Sequence, residues 1–497
     1  MLLPTVIHRR GGAARSDLTV APAFDIPPQS DQNLAGAAAT SGATSPVGVR
    51  WGGDTLVTAV RIEPCRPVPR VHTNSAATAI GAHSSVVSLA QLHRFRQSCR
   101  VPVSLDLLVT EYRYCGAGPL ATAYRATLGP LPIAASRRTV VVLRIRGTDL
   151  CHAPGRDATA AALRTAAVVT RRLAAHLSAA GLRAAPLSAA GLREQTDHVL
   201  GAGLVPPDAV ETPAGLEVHA DEEGVHGGAI RWRTLDLGPD AGPGTARALL
   251  ADQPVATTTV LQLSGPPSAP ELHGLVGVVE IPGAGRRVHA IPAAATAGTA
   301  SPAALLDWLP APGPTRANRP PLPADAAALH RWSFPVGDDG PLIGALADGR
   351  AVTLPLFAAH RPAVVRGDTR LVGLLLGRCI ASGAAISVHT AAAARWGPLL
   401  EHVGDAGVLA LGATAPGAST VLADVDLVDE SDGDEWVLRI SRAAGTGTSA
   451  APWADIRGRA DGRLRAVVDG VALDLQNVAG PDECRLVAGI PAGPTSR

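Results

Sequence analysis

From residue 363 to 411, short apolar runs alternate with helical patterns in the order β-α-β-α-β. The runs AVVR (363–366), AISVH (385–389) and VLAL (408–411) flank helix patterns at 369–382 and 392–403, the first of them amphipathic. Strands that alternate with helices of this length point to a layered α/β unit with some parallel pairing, because parallel neighbours need a crossover connection. Gly383 stands just past the first helix, where a C′ glycine ends one. This stretch argues against an all-α or all-β chain.

The same alternation occurs earlier. Strands are predicted at 54–62 (DTLVTAVRI), 101–109 (VPVSLDLLV) and 139–145 (TVVVLRI), and helices at 85–95, 120–128 and 159–180. In the last helix Leu163, Ala166, Ala167, Val169, Leu173, Leu177 and Ala180 recur mostly at 3–4 spacing, with Arg164, Arg171 and Arg172 elsewhere on the wheel. Residues 342–356 form an expected hairpin with Asp348-Gly349 at its turn. Aromatic residues are only 3% of the 497, so the core is built mainly from Ala, Val, Leu and Ile.

The expected fold is α/β, with mixed, partly parallel sheets, flanking helices and two packed blocks. Residues 1–47 lack periodicity and are expected to be a disordered arm carrying Arg9, Arg10 and Arg15. The first α/β block spans 48–235 and the second 327–430. Between them, 236–326 is a Pro/Gly-rich connector with strands at 255–263 and 275–281, and 309–323 within it reads as an extended linker. Residues 431–497 form a β-rich or irregular tail.

Charge excludes more than composition does. The chain contains no lysine, so all 44 of its Lys+Arg cations are arginines. P-loop phosphate binding, Schiff-base chemistry and the protein-kinase set all require a lysine and are excluded. A net charge of +1 argues against a nucleic-acid partner. The six cysteines are scattered singly, with no C-x-x-C pair, which suits buried thiols in a reducing compartment. No window resembles a transmembrane span or a secretory leader, so no span is expected in this chain.

Candidate chemistry is sparse. Gly116-Ala117-Gly118-Pro119-Leu120-Ala121 fits G-x-G-x-x-A after a strand. Yet Pro119 removes an N–H from the turn, and the next strand carries Arg144, with Arg146 just past its end, where the fingerprint wants an acid. Such arginines would suit a phosphate better than a ribose diol. Asp424-Val425-Asp426 at a strand end could hold a divalent cation beside a nucleotide-sugar diphosphate, but two carboxylates one residue apart are also ordinary strand neighbours. The acidic run Asp429, Glu430, Asp432, Asp434 and Glu435 lacks EF-hand spacing. His389 and His402 lie near sheet ends without a ligand partner four residues on. Cys379 sits mid-helix among leucines, as a small hydrophobe does. No catalytic, cofactor-binding or metal residue is assigned, and neither is a cofactor.

Several landmarks fall in a familiar order: RWGGDTLVTAVRI (50–62), EYR (111–113), Tyr124 with LGP (128–130), and Arg137-Arg138-Thr139 leading into VVVLRIR. A second set is FPVG (334–337), GPLIG (340–344) and LPLF (354–357), continuing through 369–389 and 399–408. Over roughly 48–425 the chain resembles the soluble domain of EccE, a component of the actinobacterial type VII (ESX) secretion membrane complex. The lysine-free, Ala/Arg-rich composition fits a high-GC actinobacterium. The resemblance implies a non-enzymatic structural subunit at the cytosolic face of the cell membrane, associated with the B, C and D components. It implies no small-molecule substrate. EccE proteins usually carry two N-terminal transmembrane helices, and none precedes Trp51 here. The arm, with Arg50 beside it, is then the expected membrane-proximal side. The alternative is a nucleotide-sugar-dependent, glycosyltransferase-like enzyme using Asp424 and Asp426.

Overall fold

The computed structural model describes residues 16–27, 45–73, 77–79, 85–113, 118–150, 156–200, 209–212, 215–220, 230–235, 237, 242–243, 256–279, 296–299, 309–312, 322–357, 362–390, 393–403, 408–411, 422–429, 436–442, 451–459 and 461–488. Two large sheets dominate, of eleven and twelve strands. The fold is α/β, as the alternation of apolar runs and helical patterns implies.

The first sheet runs in the order Thr296–Thr299, Ile230–Leu235, Glu271–Val279, Ala256–Ser264, Ser104–Tyr112, Ser136–Arg146, Thr55–Pro64, Val47–Gly52, Ala23–Ile26. Leu182–Pro186 pairs with Thr55–Pro64, and Leu322–Pro323 with Glu271–Val279. Its described ladders are all antiparallel. Among the described residues parallel pairing, expected in both blocks, is confined to the second sheet. The centre is buried on both faces, which explains why VVVLRI reads as a continuous apolar run. Helix Arg156–Ala179 covers one face through Ala166, Val169, Leu173 and Leu177, and Thr170 bonds Thr58 across the contact at 2.7 Å. Leu163 and Ala167 complete most of the predicted stripe, whereas Ala180 lies exposed past the helix end. Helix Ala189–Val199 covers part of the other face over Val57, Ala59, Leu108, Val140 and Val142.

The second sheet runs Leu409–Leu411, Ala385–Thr390, Leu422–Asp429, Trp436–Arg442, Ala363–Gly367, Ala454–Gly458, Arg463–Val468, Val471–Gln476, Leu342–Ala345, Ala351–Thr353, Arg70–His72, Ala77–Ala79. The predicted β-α-β-α-β elements all form, with helices at Thr369–Ala381 and Ala393–Val403. Ala385–Thr390 is parallel to Leu409–Leu411 and Leu422–Asp429, and Ala363–Gly367 to Ala454–Gly458. Asp368 caps the first helix, its side chain accepting from the Leu371 N–H at 2.8 Å, and Gly383 has φ 93°. The hairpin Leu342–Ala345 and Ala351–Thr353 turns at Gly349, φ 82°.

Several expectations about organisation change. Ser16–Val20 and Ala23–Ile26 are strands, the second paired with Val47–Gly52, and Val20, Ala23 and Ile26 are buried. The disordered reading of 1–47 therefore fails at 16–26, while 1–15 and 28–44 lie outside the described residues. The connector 236–326 is no linker between blocks, because Ala256–Ser264 pairs with Ser104–Tyr112 from Ala256↔Tyr112 to Leu263↔Leu105. Leu309 and Ala311, expected in an extended linker, are fully buried. The tail from 431 supplies four strands of the second sheet and helix Pro481–Ala488. Arg70–His72 and Ala77–Ala79, from the first block by sequence, pair into the second sheet.

Helix Thr369–Ala381 departs from amphipathic expectation, being buried on nearly every side. Helices Pro119–Leu128 and Pro481–Ala488 cover the face that would otherwise meet water. Gly377 admits this approach: a Cβ there would sit 3.1 Å from a Leu120 methyl.

Candidate functional site

The most distinctive local chemistry lies where arginines enter apolar surroundings. Arg137, on strand Ser136–Arg146, has a fully buried side chain. Its Nε donates to Glu111 at 2.7 Å, and its two terminal nitrogens donate to the Asp339 carboxylate at 2.9 and 3.1 Å. Burial alone would discourage its charge, but the Asp339 and Glu111 carboxylates outweigh that and raise its pKa above the ordinary value. Asp339 also accepts from the Ala134 N–H at 2.8 Å and pairs with Arg70, whose other nitrogen reaches the Val336 carbonyl at 2.9 Å. Because Glu111 and Arg137 belong to the first sheet and Arg70 to the second, this cluster ties the two together. Burial pushes the neighbouring Asp338 carboxyl up, against the Arg137 N–H that it accepts at 2.6 Å.

Gly340 closes the turn after the two aspartates. Its φ is 76°, and a Cβ there would meet the Leu354 carbonyl oxygen at 2.3 Å. Only glycine fits the turn that aims Asp339 inward.

A second tie centres on Arg378, in helix Thr369–Ala381. It grips Glu483 with Nε and Nη2, both at 2.9 Å, and donates to the carbonyls of Leu342, at 2.8 Å, and Val478. Glu483 also accepts from Thr127 at 2.6 Å and from the Gly480 N–H at 3.2 Å. Thr127 lies on helix Pro119–Leu128, which connects two strands of the first sheet yet packs on the second. On the same helix the Tyr124 hydroxyl accepts from the Leu342 N–H at 2.9 Å, and burial pushes its phenol up to about 12. A third cluster lies within the first sheet. There Arg144 donates to Asp106 at 2.6 Å and to the Leu309 and Ala311 carbonyls, and Gln262 donates to Asp106 at 3.2 Å.

The residues singled out from sequence fare differently. Arg144 cannot meet a phosphate at the Gly116 loop, because its guanidinium is buried and engaged with Asp106. Gly118 is the N-cap of the following helix and Pro119 its first residue, while Gly116 and Ala117 lie outside the described residues. Asp424 and Asp426 face Ser387 and His389 in the parallel register, their side chains lying outside the described residues. Among the described residues no group of three His, Cys, Asp or Glu is arranged to hold a metal. His389 is exposed and His402 half-buried. Cys379 is fully buried, and burial raises its thiol pKa. Arg50 is corrected: it is buried and donates to the Ala21 carbonyl and to Thr196 at 3.1 Å, so it does not face a membrane. Arg9, Arg10 and Arg15 lie outside the described residues.

Sequence reading missed Arg70, Asp339, Arg378 and Glu483. A signal was present: Arg378 interrupts an apolar run, and a charge held there needs a buried partner. Which carboxylate answers it depends on chain segments far away.

These features define an α/β protein with two large sheets in which ionic clusters act as internal ties. Residues 133–233 match the family described as "Putative type VII ESX secretion system translocon, EccE". That segment begins beside Arg137 and takes in strand Ser136–Arg146 with helices Arg156–Ala179 and Ala189–Val199. The match agrees with the resemblance seen in the sequence landmarks and supports a type VII secretion translocon component. No curated protein matches the chain. Among the described residues no helix is long and apolar enough to cross a membrane.

Proposed function

We propose that this protein is a structural, non-catalytic subunit of a type VII (ESX) secretion complex, held at the cytosolic face of the cell membrane by the B, C and D components. The match over 133–233 carries the reading. The use of buried Arg137, Arg144 and Arg378 as ties between segments suits a rigid part of an assembly. Co-expression of the full chain with the B, C and D components, followed by detergent extraction and affinity purification, tests it. The chain is expected to co-purify in fixed ratio and to be required for substrate secretion. Its separation from those components, or Mn²⁺-dependent turnover of a UDP-sugar by the purified chain, would overturn the reading.

A further inference from the structure

Arginines and acids nearly balance in this chain, 44 against 43, yet along the sequence they separate. No acidic residue occurs from 158 to 193, which takes in nearly all of helix Arg156–Ala179. None occurs from 64 to 105 either, which takes in the neighbouring helix Leu89–Ser98. Conversely, no arginine occurs from 396 to 438, and the stretch 429–435 is dominated by Asp429, Glu430, Asp432, Asp434 and Glu435.

Helix Arg156–Ala179 turns its apolar side to the first sheet and exposes Arg164, Val168 and Arg172, with Arg171 half-buried beside them. Residues four apart lie one above another on a helix, so Arg164, Val168 and Arg172 form one row about 12 Å long. None of the three arginines is in an ion pair among the described residues. Arg171 reaches the Ser45 carbonyl at 3.5 Å, and Arg172 the Ser98 carbonyl at 3.4 Å. Val168 is 50% exposed between them, and Ala160, Ala175 and Ala179 leave the rest of the face low. Helix Leu89–Ser98 adjoins it, the Phe95 and His176 rings lying 5.6 Å apart, and adds exposed Arg94.

We propose that this helix face docks the acidic stretch 429–435 of a second copy of the chain, its carboxylates on Arg164, Arg171 and Arg172 around Val168. A guanidinium presents a planar fork that takes a carboxylate by two hydrogen bonds. The same stretch within one copy is tethered to the other sheet. Asp429 pairs with Trp436 there, so residues 430–435, which lie outside the described residues, can extend only about 10 Å from the ladder end. The helix packs instead on Thr55–Pro64 and Leu182–Pro186 of the first sheet, with Arg164 and Arg172 on its water side. An anionic membrane fits less well. Helices that lie in a bilayer surface insert Leu, Phe or Trp, whereas Leu173 and Leu177 here are buried in the core. Docking of this kind joins unlike surfaces, so it is head-to-tail and builds a ring or an open chain, not a two-fold dimer. The inference does not depend on the secretion reading.

Sedimentation velocity of the purified full chain over a range of concentrations tests this. Species larger than a monomer are expected at about 50 mM salt and should dissociate at about 500 mM, because exposed charges are screened. R164E/R172E and, separately, D432R/D434R are each expected to weaken association about tenfold, with the thermal midpoint unchanged. Mixing these two variants is expected to restore association, because the acidic stretch of one then meets the arginine face of the other. A parent chain that stays monomeric throughout would overturn the proposal. So would either variant assembling like the parent, or a mixture that fails to restore association. Phosphatidylglycerol vesicles are sedimented with the same proteins in parallel. A loss in R164E/R172E confined to vesicle binding would make lipid the occupant, and would overturn the proposal as well.

Discussion

A guanidinium can leave water only where its donors find partners, and Arg378 shows how this chain arranges that. Glu483 takes two of its nitrogens, and main-chain carbonyls of Leu342 and Val478 receive the rest. Removing one member of such a pair strands the other charge in the core, at a cost of about 3–5 kcal/mol, whereas replacing both with apolar residues of similar size is often nearly neutral. Glu483→Ala is therefore expected to destabilise the protein by about that amount in urea unfolding, and Arg378→Met with Glu483→Leu to recover most of the loss. A double variant no more stable than Glu483→Ala would show that the carbonyl contacts of Arg378, not the ion pair, carry the tie. Breaking the exposed pair of Arg350 with Asp348 at 2.6 Å should leave the urea midpoint almost unchanged by the same measurement.

Individual elements are seated by a few side chains at their ends. Helix Ala189–Val199 begins at Ser188, whose hydroxyl accepts from the Gly191 N–H at 3.2 Å. It ends against strand Ser104–Tyr112, where the Tyr112 hydroxyl donates to the His198 carbonyl at 2.6 Å and the two rings lie 4.4 Å apart. Burial, with Arg138 and Arg61 nearby, drives the His198 pKa well below its ordinary value. The unfolded chain takes up a proton at this imidazole near pH 6.5, while the folded protein stays neutral there. Stability should thus fall as pH drops below about 6.5, and this contribution should vanish above it. His198→Phe keeps a ring beside Tyr112 and should flatten that acid slope in denaturation curves between about pH 5 and 6.5. An unchanged slope would assign the acid sensitivity to other groups.

Taken whole, the molecule does not divide where its composition does. Both sheets recruit strands from distant parts of the chain: Ala256–Ser264 continues the ladder of Ser104–Tyr112, and Arg70–His72 pairs with Ala351–Thr353. Fragments 48–235 and 327–430 expressed separately should therefore lack cooperative unfolding that the full chain shows, because each leaves an open ladder and an uncovered apolar face. Cooperative melting of either fragment in calorimetry would restore the composition-based division.

The sequence by itself determined which local elements form. Apolar runs, cap residues such as Asp368 and a glycine such as Gly383 act within a few positions, so strand Ala363–Gly367 and helix Thr369–Ala381 are legible without a fold. Tertiary structure decided their neighbours. Nothing in the pattern near 363–390 shows that Leu422–Asp429 and Trp436–Arg442 insert between its two strands, or that helix Pro481–Ala488 buries the polar side of Thr369–Ala381. Two strands of 236–326 were legible at 255–263 and 275–281, but Pro/Gly punctuation hid where they pair, because turn residues mark where a chain bends and not which sheet it rejoins. The ties were half visible. An arginine inside an apolar run, as Arg378 is, announces a buried counter-charge, but Glu483 is chosen only when the sheets and helices have packed.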